Sequence, residues 1–289
     1  MSHKSPPGRP KGEYRSAQRE GNHTAALGIH GIGVCAAGLS DWAVTRSVLL
    51  GETDCEAASL GKLDIPDLPV TERRRVNATS RLAIHAALQA TAHLPTAARA
   101  RVPSIFASAD GDGAILASTL EALAQQPATM SPTLFHNSVF NAPAGYWSIA
   151  SRSRGASITV SAGTVSFAAG LLEAAIEVST GSRAVLLVAA DLPFPPELAS
   201  FGVTGEAFAC ALLLLGEGSD GTHGTIEVSL RTNAASVSGV EDRGAVAAHF
   251  AGNSAAAALP LLACVARATA AGSTLPYLDD GCVEIAYRP

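Results

Sequence analysis

The stretch RGASITVSAGTVSFAAGLL, residues 154–172, indicates the type of fold. It begins with the β-branched run Ile158-Thr159-Val160, a composition typical of a buried strand. It then turns at Ser161-Ala162-Gly163 and continues as a helix of small residues. A strand that breaks sharply into a helix exposes the residue at the turn, beside the free N–H groups of the first helical turn. This geometry presents nucleophiles in enzymes, yet the residue at the predicted tip is Gly163, which has no side chain.

The rest of the chain alternates between predicted strands and predicted helices. With 289 residues, 47% hydrophobic and 16% charged, it has ample material for a buried core. The predicted strands are 25–34, 102–109, 183–190, 205–215, 224–230 and 281–288, and the predicted helices are 42–50, 71–91, 114–126, 165–175 and 255–271. This alternation predicts a mixed, layered α/β sandwich.

Residues 1–23 differ in composition from the remainder. They carry five Lys or Arg, two Glu and several prolines but almost no aliphatic residues, so we expect a disordered basic tail. Residues 24–289 then hold 15 basic and 23 acidic residues, a net charge of −8. The composition gives no general indication of nucleic-acid binding.

The cysteines and apolar runs predict the compartment. Five cysteines, an odd number, are scattered without CxxC spacing, which favours reduced thiols in the cytoplasm. No apolar run approaches the length of a membrane span, and no signal peptide is visible. The eight histidines show no HExxH pattern, so we expect neither a metal site nor a cofactor.

Serine chemistry at the turn is an open alternative. No GxSxG pattern surrounds Ser161 or Ser166, and the position of Ser166 inside the predicted helix favours packing against the sheet. An altered acyl-transfer or hydrolytic activity would use one of these serines with His136. An enzyme of this kind is the alternative hypothesis to a protein without catalytic activity.

Four segments, by their order and spacing, resemble the β-ketoacyl synthases. They are GIHGIGVCAAG at 28–38, SRLAIHAAL at 80–88, NAPAGYWSIASRSRGASITVSAG at 141–163 and GEAFACALLLL at 205–215. The resemblance implies a thiolase-like α-β-α-β-α sandwich. It covers residues 25–230, so we expect one domain at 24–289, with 24–230 as the family's N-terminal half and 231–289 as a truncated C-terminal half.

The same resemblance implies that the catalytic residues are missing. In that family the elbow tip carries an acylated cysteine, whereas here Gly163 stands at that position within Ser161-Ala162-Gly163-Thr164. The two family histidines that assist decarboxylation have no counterpart. His223 echoes one of their motifs but follows the strand at 205–215 too closely, and we interpret it as coincidence. The expected protein is therefore a pseudoenzyme.

The resemblance is to inactive chain-length-factor subunits and to short ketosynthase-like proteins of aryl polyene and fatty-acid-type pathways, a group related to polyketide synthesis. It implies a heterodimer with an active β-ketoacyl-ACP synthase, paired antiparallel along Ala156, Ile158 and Val160. Other pocket or interface residues would be Leu134, Phe135, His136, Phe140 and Asn141. The first three would reach the partner's acyl tunnel or simply fill the interface.

The triplet Arg73-Arg74-Arg75 has two interpretations. It would dock an acyl carrier protein by charge steering, or it is the solvated start of a helix. The carrier protein would otherwise reach the complex through the active partner.

Overall fold

A computed structural model describes residues 24–55, 59–216, 221–232, 244–278 and 281–289; the predicted tail at 1–23 lies outside these ranges. The strands are β1 Thr24–Ala36, β2 Ser104–Ala107, β3 Ser157–Val160, β4 Ala184–Asp191, β5 Phe208–Leu215, β6 Thr225–Arg231, β7 Ala271–Tyr277 and β8 Gly281–Arg288. The helices are α1 Trp42–Leu49, α2 Val70–Arg73, α3 Ala78–Ala90, α4 Thr96–Arg99, α5 Gly113–Ala124, α6 Pro132–Asn137, α7 Ala142–Ser151, α8 Ser166–Ser179, α9 Gly244–His249 and α10 Leu259–Arg267.

All eight strands join one mixed sheet in the order β3-β2-β4-β5-β1-β6-β8-β7. Strands β3, β2 and β4 are parallel, and every other neighbouring pair is antiparallel. The 13-residue strand β1 links two sections, because residues 28–36 pair with β5 and residues 24–28 pair with β6. The register shifts between Ile29 and Gly31, where the strand passes from one partner to the other.

The sheet curves around helix α8. This helix contacts β2 and β4 in one section and β6 and β7 in the other. Strands β2 and β7 are six positions apart, which is about 29 Å in a flat sheet, whereas a helix is only about 10–12 Å wide. Buried side chains of α8, including Phe167 and Leu171, belong to one apolar cluster with Ile105 of β2 and Val283 of β8. One helix therefore forms the core between both sections.

Helices α3 and α7 cover the other face of the five-strand section. Their buried residues, including Leu82, Tyr146 and Trp147, pack in a second cluster with Val188 and Leu213 of the sheet. The outer face of β6-β8-β7 carries two ion pairs, Arg231 to Glu284 at 2.8 Å and Arg288 to Glu227. No helix of the described residues covers that polar face. The described elements form four layers, α-β-α-β, which confirms the predicted layered α/β fold.

The predicted helix at 71–91 is wrong in its extent. The structure breaks it into α2 and α3, because the Asn77 side chain accepts a hydrogen bond from Ser80 N at 2.8 Å and caps α3. The arginine triplet thus lies on and just after the short helix α2, separate from the buried helix α3.

The predicted helix at 255–271 also ends early. It consists of a 3₁₀ turn at Ala255–Ala258 and then α10, which stops where Ala268 adopts the left-handed conformation with φ of 47°. The chain then forms β7, which the sequence did not predict, since AGSTLPY lacks alternating apolar residues and contains a proline.

Glycine allows β1 to approach α3 very closely. A Cβ atom at Gly33 would lie 2.0 Å from the carbonyl oxygen of Ala86, well inside van der Waals contact. Neither backbone can move freely, because β1 is paired with β5 at this position and α3 is buried against the sheet. The five-strand section and its covering helix therefore depend on this residue.

We expect Gly33→Ala to lower the free energy of unfolding by about 2 kcal/mol or more, since the added methyl group forces α3 away from β1. Urea unfolding followed by circular dichroism measures the change. Gly61→Ala is the matched control, because a Cβ atom there meets nothing within 4 Å, and it should change stability by less than about 0.5 kcal/mol. Equal stability of the two variants would contradict the close packing.

Candidate functional site

The turn between β3 and α8 has the shape that the sequence predicts. After Val160 the chain turns through a 3₁₀ segment, Gly163–Val165, and enters α8 at Ser166. Gly163 is exposed with φ of 56°, and a Cβ atom there would meet nothing within 4 Å. The tip is therefore open to solvent, and its backbone conformation favours glycine by about 1 kcal/mol.

Ser166 holds the turn together and is not available as a nucleophile. Its side chain is fully buried, with Oγ 2.7 Å from the Gly163 carbonyl oxygen and 3.1 Å from that of Ser108. The same Oγ accepts a hydrogen bond from Ala162 N at 2.9 Å. The hydroxyl thus ties both sides of the turn to the end of β2, which agrees with the packing role predicted for this serine.

Ser161 is exposed, and none of the described residues forms a base beside it. Its Oγ donates to the Ala109 carbonyl oxygen at 2.8 Å. The His136 ring packs edge-on against Tyr146, with ring centroids 5.4 Å apart. Within the part of the chain that the structure describes, no hydrogen bond joins His136 to Ser161 or Ser166. The serine–histidine pair of the alternative hypothesis is not assembled.

A buried carboxylate that no sequence pattern indicated lies beside the turn. Asp191, at the end of β4, accepts hydrogen bonds from Ser108 Oγ at 2.7 Å and Ala109 N at 2.8 Å, and a further one from Ser254 Oγ. Asn253 Nδ2 donates to the Asp191 carbonyl oxygen at 3.0 Å. This Asp191 network connects β4, the end of β2 and the segment before α10. Burial raises the pKa of the Asp191 carboxyl, and the hydrogen bonds only partly oppose this.

Strand β3 is an open edge of the sheet. It pairs with β2 on one side, where the carbonyl oxygens of Ala156 and Val160 accept from Ser104 N and Ser108 N. Since strand backbone groups alternate in direction, the N–H and C=O groups of Ser157 and Thr159 face away from β2. No described strand pairs with them. Such an edge is a template for a strand of another chain.

The opposite edge of the sheet is protected. Strand β7 pairs only with β8 and contains Pro276, which has no N–H to offer to a further strand. Strand β3 contains neither a proline nor a charged residue. Of the two edges, β3 is therefore the one suited to strand addition.

Apolar side chains are exposed on the helices near the open edge. Helix α5 presents Leu116, Leu120 and Leu123 at helical spacing, each at least 42% exposed, and α7 presents Ile149. The sequence of α5 indicates such a surface, because GAILASTLEALA contains one charged residue in twelve and therefore lacks a polar face towards solvent. A helix this apolar that is not buried within its own chain marks an interaction surface.

The predicted pocket and interface residues fall into two groups. Ile158 and Val160 of β3 are half-buried against the core, while Ala156 before them is exposed. The remaining five lie on α6 and the segment that leads to α7, where Leu134 is half-buried and the others, Phe135, His136, Phe140 and Asn141, are exposed. Phe135 is 64% exposed, although a lone phenylalanine of this kind is normally buried.

A pocket of about 350 Å³ lies between β2, α5 and the segment from α6 to α7. Its apolar lining includes Ile115 and Leu116 of α5 and the Phe140 ring, and Thr159 of β3 also reaches it. Asp112 at its rim caps α5 by accepting from Ile115 N at 3.0 Å. Asp112 thus serves as a helix cap.

The arginine triplet borders an open groove of about 680 Å³. Arg73, Arg74, Arg81 and Lys62 contribute to its wall, together with several leucine and valine side chains. The Arg81 guanidinium donates to the Arg73 carbonyl oxygen at 2.7 Å, which fixes one arginine against the backbone of the other. Arg75 instead lies 4.0 Å from Glu72. Two of the three predicted docking residues, Arg73 and Arg74, therefore share a basic groove.

His223 lies in the turn that precedes β6 and not at the turn around Gly163. Its carbonyl oxygen accepts from the Tyr287 hydroxyl at 3.1 Å, and its ring lies edge-on to Trp42. Burial lowers the pKa of His223, and the neighbouring His30 and His93 lower it further. Among the described residues, no group of three or more His, Cys, Asp or Glu is placed to hold a metal ion.

Comparison with protein families gives a match over most of the chain. The family model described as β-ketoacyl synthase, N-terminal domain, matches residues 47–271. None of the curated proteins compared matches the chain. The described helices include none that is both long and apolar enough to cross a lipid bilayer.

Several solved structures share the fold. One is a ketosynthase in complex with its chain length factor from Xenorhabdus doucetiae, at 23% identity and a TM-score of 0.68, covering 90% of this chain and 99% of that one. A β-ketoacyl synthase from Burkholderia phymatum has 14% identity and a TM-score of 0.68, with 92% and 100% covered. The AntDE:AntF complex of a type II polyketide carrier protein with its ketosynthase has 13% identity and a TM-score of 0.70, with 91% and 99% covered. These similarities confirm the predicted ketosynthase-type fold.

We expect Asp191→Asn to remove a pH-dependent loss of stability. The folded-state pKa of Asp191 lies above the unfolded value, so the folded state binds more protons and the wild type loses stability as pH rises through that range. Asparagine keeps the acceptor for Ser108 and can donate to Ser254, but it does not titrate.

Urea unfolding at several values between about pH 4 and pH 8 measures this effect. The stability of Asp191→Asn relative to the wild type should rise with pH, and the exposed Asp54→Asn controls for the loss of one carboxylate. A wild type that gains on the variant as pH rises would contradict a raised pKa.

Proposed function

Because this chain belongs to the β-ketoacyl synthase family, which the match to its N-terminal domain defines, we propose that it is a catalytically inactive partner subunit. It would form a heterodimer with an active β-ketoacyl-ACP synthase and shape that enzyme's acyl pocket, in aryl polyene or related polyketide or fatty-acid biosynthesis. The observation that carries the proposal is the open edge of β3 beside a turn whose tip is Gly163.

The chemistry of the turn supports inactivity. A condensing mechanism through an acyl-enzyme needs a nucleophilic side chain at the tip, and glycine has none. Ser166 is buried and tied to three backbone groups, and Ser161 has no described base within hydrogen-bonding reach. The alternative of an acyltransferase or hydrolase therefore receives no support from the geometry.

The surface around β3 supports a partner of the same fold. Outward-facing backbone groups of Ser157 and Thr159 would continue the sheet into the partner by antiparallel pairing along Ala156–Val160. The exposed leucines of α5 and Ile149 of α7 would be covered in the same step, which adds a hydrophobic contribution to the backbone hydrogen bonds. Strand addition alone is weak, so this apolar surface would supply much of the affinity.

Residues on α6 are suited to shape a neighbouring pocket. Phe135 and His136 are exposed on this short helix, whose position is fixed by hydrogen bonds of Asn137 to the Tyr146 hydroxyl at 3.0 Å and to the Arg75 carbonyl oxygen at 2.8 Å. A rigid base that carries protruding bulky side chains would set the depth of a tunnel in the partner. Filling of the interface by Leu134, Phe135 and His136 is the simpler role that the same contacts allow.

The basic groove at Arg73 and Arg74 is our proposed contact for an acyl carrier protein. Its cationic rim would attract an acidic protein, and its apolar wall would add contact area. We propose that the protein acts in the cytoplasm, because all five cysteines are free thiols.

We expect Thr159→Pro to abolish heterodimer formation while leaving the subunit folded. Proline removes an outward-facing N–H and adds a ring at the open edge, without removing a hydrogen bond to β2. Co-expression with a full-length ketosynthase encoded nearby, followed by size-exclusion chromatography, measures the complex. The fraction in the heterodimer should fall about tenfold or more.

Thr274→Pro is the matched control for this experiment. It also replaces a threonine of an edge strand. Thr274 is two residues from Pro276 in β7, so its backbone N–H faces the same way as the Pro276 nitrogen, towards solvent. It should leave the heterodimer intact. A wild-type chain that forms a homodimer and ignores every ketosynthase, or a complex that survives Thr159→Pro, would overturn the proposed pairing.

Gly163→Cys tests whether more than the nucleophile is missing. The open space at this position leaves only backbone strain, so we expect a folded variant that is about 1–2 kcal/mol less stable. It should catalyse neither condensation nor the decarboxylation of malonyl-carrier protein, because the chain has no counterpart of the family's two histidines. Mass spectrometry of the carrier protein measures both reactions, and rapid decarboxylation would contradict the account of an inactive subunit.

A further inference from the structure

Three arginines stand side by side at the start of the parallel strands. In the sheet, Ser104 of β2 is aligned with Ser157 of β3 and with Leu186 of β4. Three residues before each of these aligned positions the sequence has an arginine. We call this set the arginine row, and it consists of Arg101, Arg154 and Arg183.

Backbone contacts continue the alignment into the row. Arg154 N donates to the Ala100 carbonyl oxygen at 3.2 Å, and Leu186 N donates to that of Pro103 at 2.9 Å. A Cβ atom at Gly155 would lie 3.4 Å from the Arg101 carbonyl oxygen, so these segments touch. Extending the strand spacing to these positions puts neighbouring arginine backbones about 4.8 Å apart.

The row concentrates positive charge on a domain that is otherwise acidic. All three side chains are exposed, as is Arg152 at the end of α7. Among the described residues, the ion pair next to the row joins Arg99 to Asp67 at 3.1 Å and includes none of these four. Like charges on neighbouring strands repel and lower stability. A bound anionic partner would relieve this repulsion.

We propose that the arginine row is a docking surface for an acidic α-helix of a partner protein. The outer two arginines are two strands apart, about 9.6 Å. Carboxylates at positions i, i+4 and i+7 of a helix lie on one face and span about 10.5 Å along its axis. A helix laid across the three strands would place one carboxylate opposite each guanidinium.

The net charge of the whole domain favours a small acidic partner, which contacts only the arginine row, over a large polyanion such as a nucleic acid or a membrane. Residues 24–289 carry a net charge of −8, which repels nucleic acids and anionic membranes at long range. A single helix contacts the row alone and experiences less of this repulsion. The row lies just before β2, β3 and β4, apart from the groove at Arg73 and Arg74, so this inference does not rest on the proposed function.

A pair of synthetic peptides tests the inference with the full-length chain. The first is a helical peptide of about 14 residues with glutamates at i, i+4 and i+7 on one face, and the second has the same composition with the glutamates distributed around the helix. Fluorescence anisotropy at low and high salt measures both. The first peptide should bind more tightly, and its binding should weaken as salt is added.

The variant Arg101→Gln/Arg154→Gln/Arg183→Gln should weaken binding of the first peptide about tenfold or more, since each exposed ion pair contributes about two- to fivefold. Arg46→Gln on α1 is the control and should bind as the wild type does. Thermal unfolding should show that the triple variant is at least as stable as the wild type, because the repulsion is removed.

Three outcomes would overturn the proposal. They are equal affinity for both peptides, wild-type affinity of the triple variant, and row-dependent binding to anionic phosphatidylglycerol vesicles without binding of the first peptide.

Discussion

Helix α8 approaches the strands beneath it so closely that a Cβ atom at Gly170 would lie 2.8 Å from the Leu187 side chain and 3.0 Å from that of Ala107. Small residues along this helix let β2 and β4 pack on one side while β6 and β7 reach it from the other. The curvature of the sheet around α8 and the position of the turn at Gly163 depend on this contact. A larger residue at Gly170 would press on each of them at once.

Much of this architecture was predictable from local patterns. The β-branched run before Gly163 and the apolar runs of β4 and β5 specify their strands directly, and Asp41 caps α1 as its position indicates. The strand β7 was missed because an edge strand with one buried side, a proline and several small residues has no distinct period. The split of the predicted helix at 71–91 was missed because apolar residues continue on both sides of Asn77, whose capping role depends on its actual backbone conformation.

Only the parts of the candidate site that are formed by residues adjacent in sequence could be predicted. The tip at Gly163 follows from neighbouring residues, whereas the Asp191 network joins Ser108, Ser254 and Asp191 across distances of 63 and 83 residues. No spacing rule connects such residues before the sheet is assembled. The arginine row has the same origin, because three arginines far apart in sequence become neighbours only through the register of β2, β3 and β4.

Pro276 has a consequence for the size of any assembly. A sheet with two open edges can add chains without limit, as fibres do, whereas the sheet formed by the described strands has one open edge and one that is closed by a residue without an N–H. The chain is in effect monovalent for strand pairing. Two such sheets joined at β3 would form a continuous layer with a protected strand at each end, and growth would stop at two subunits.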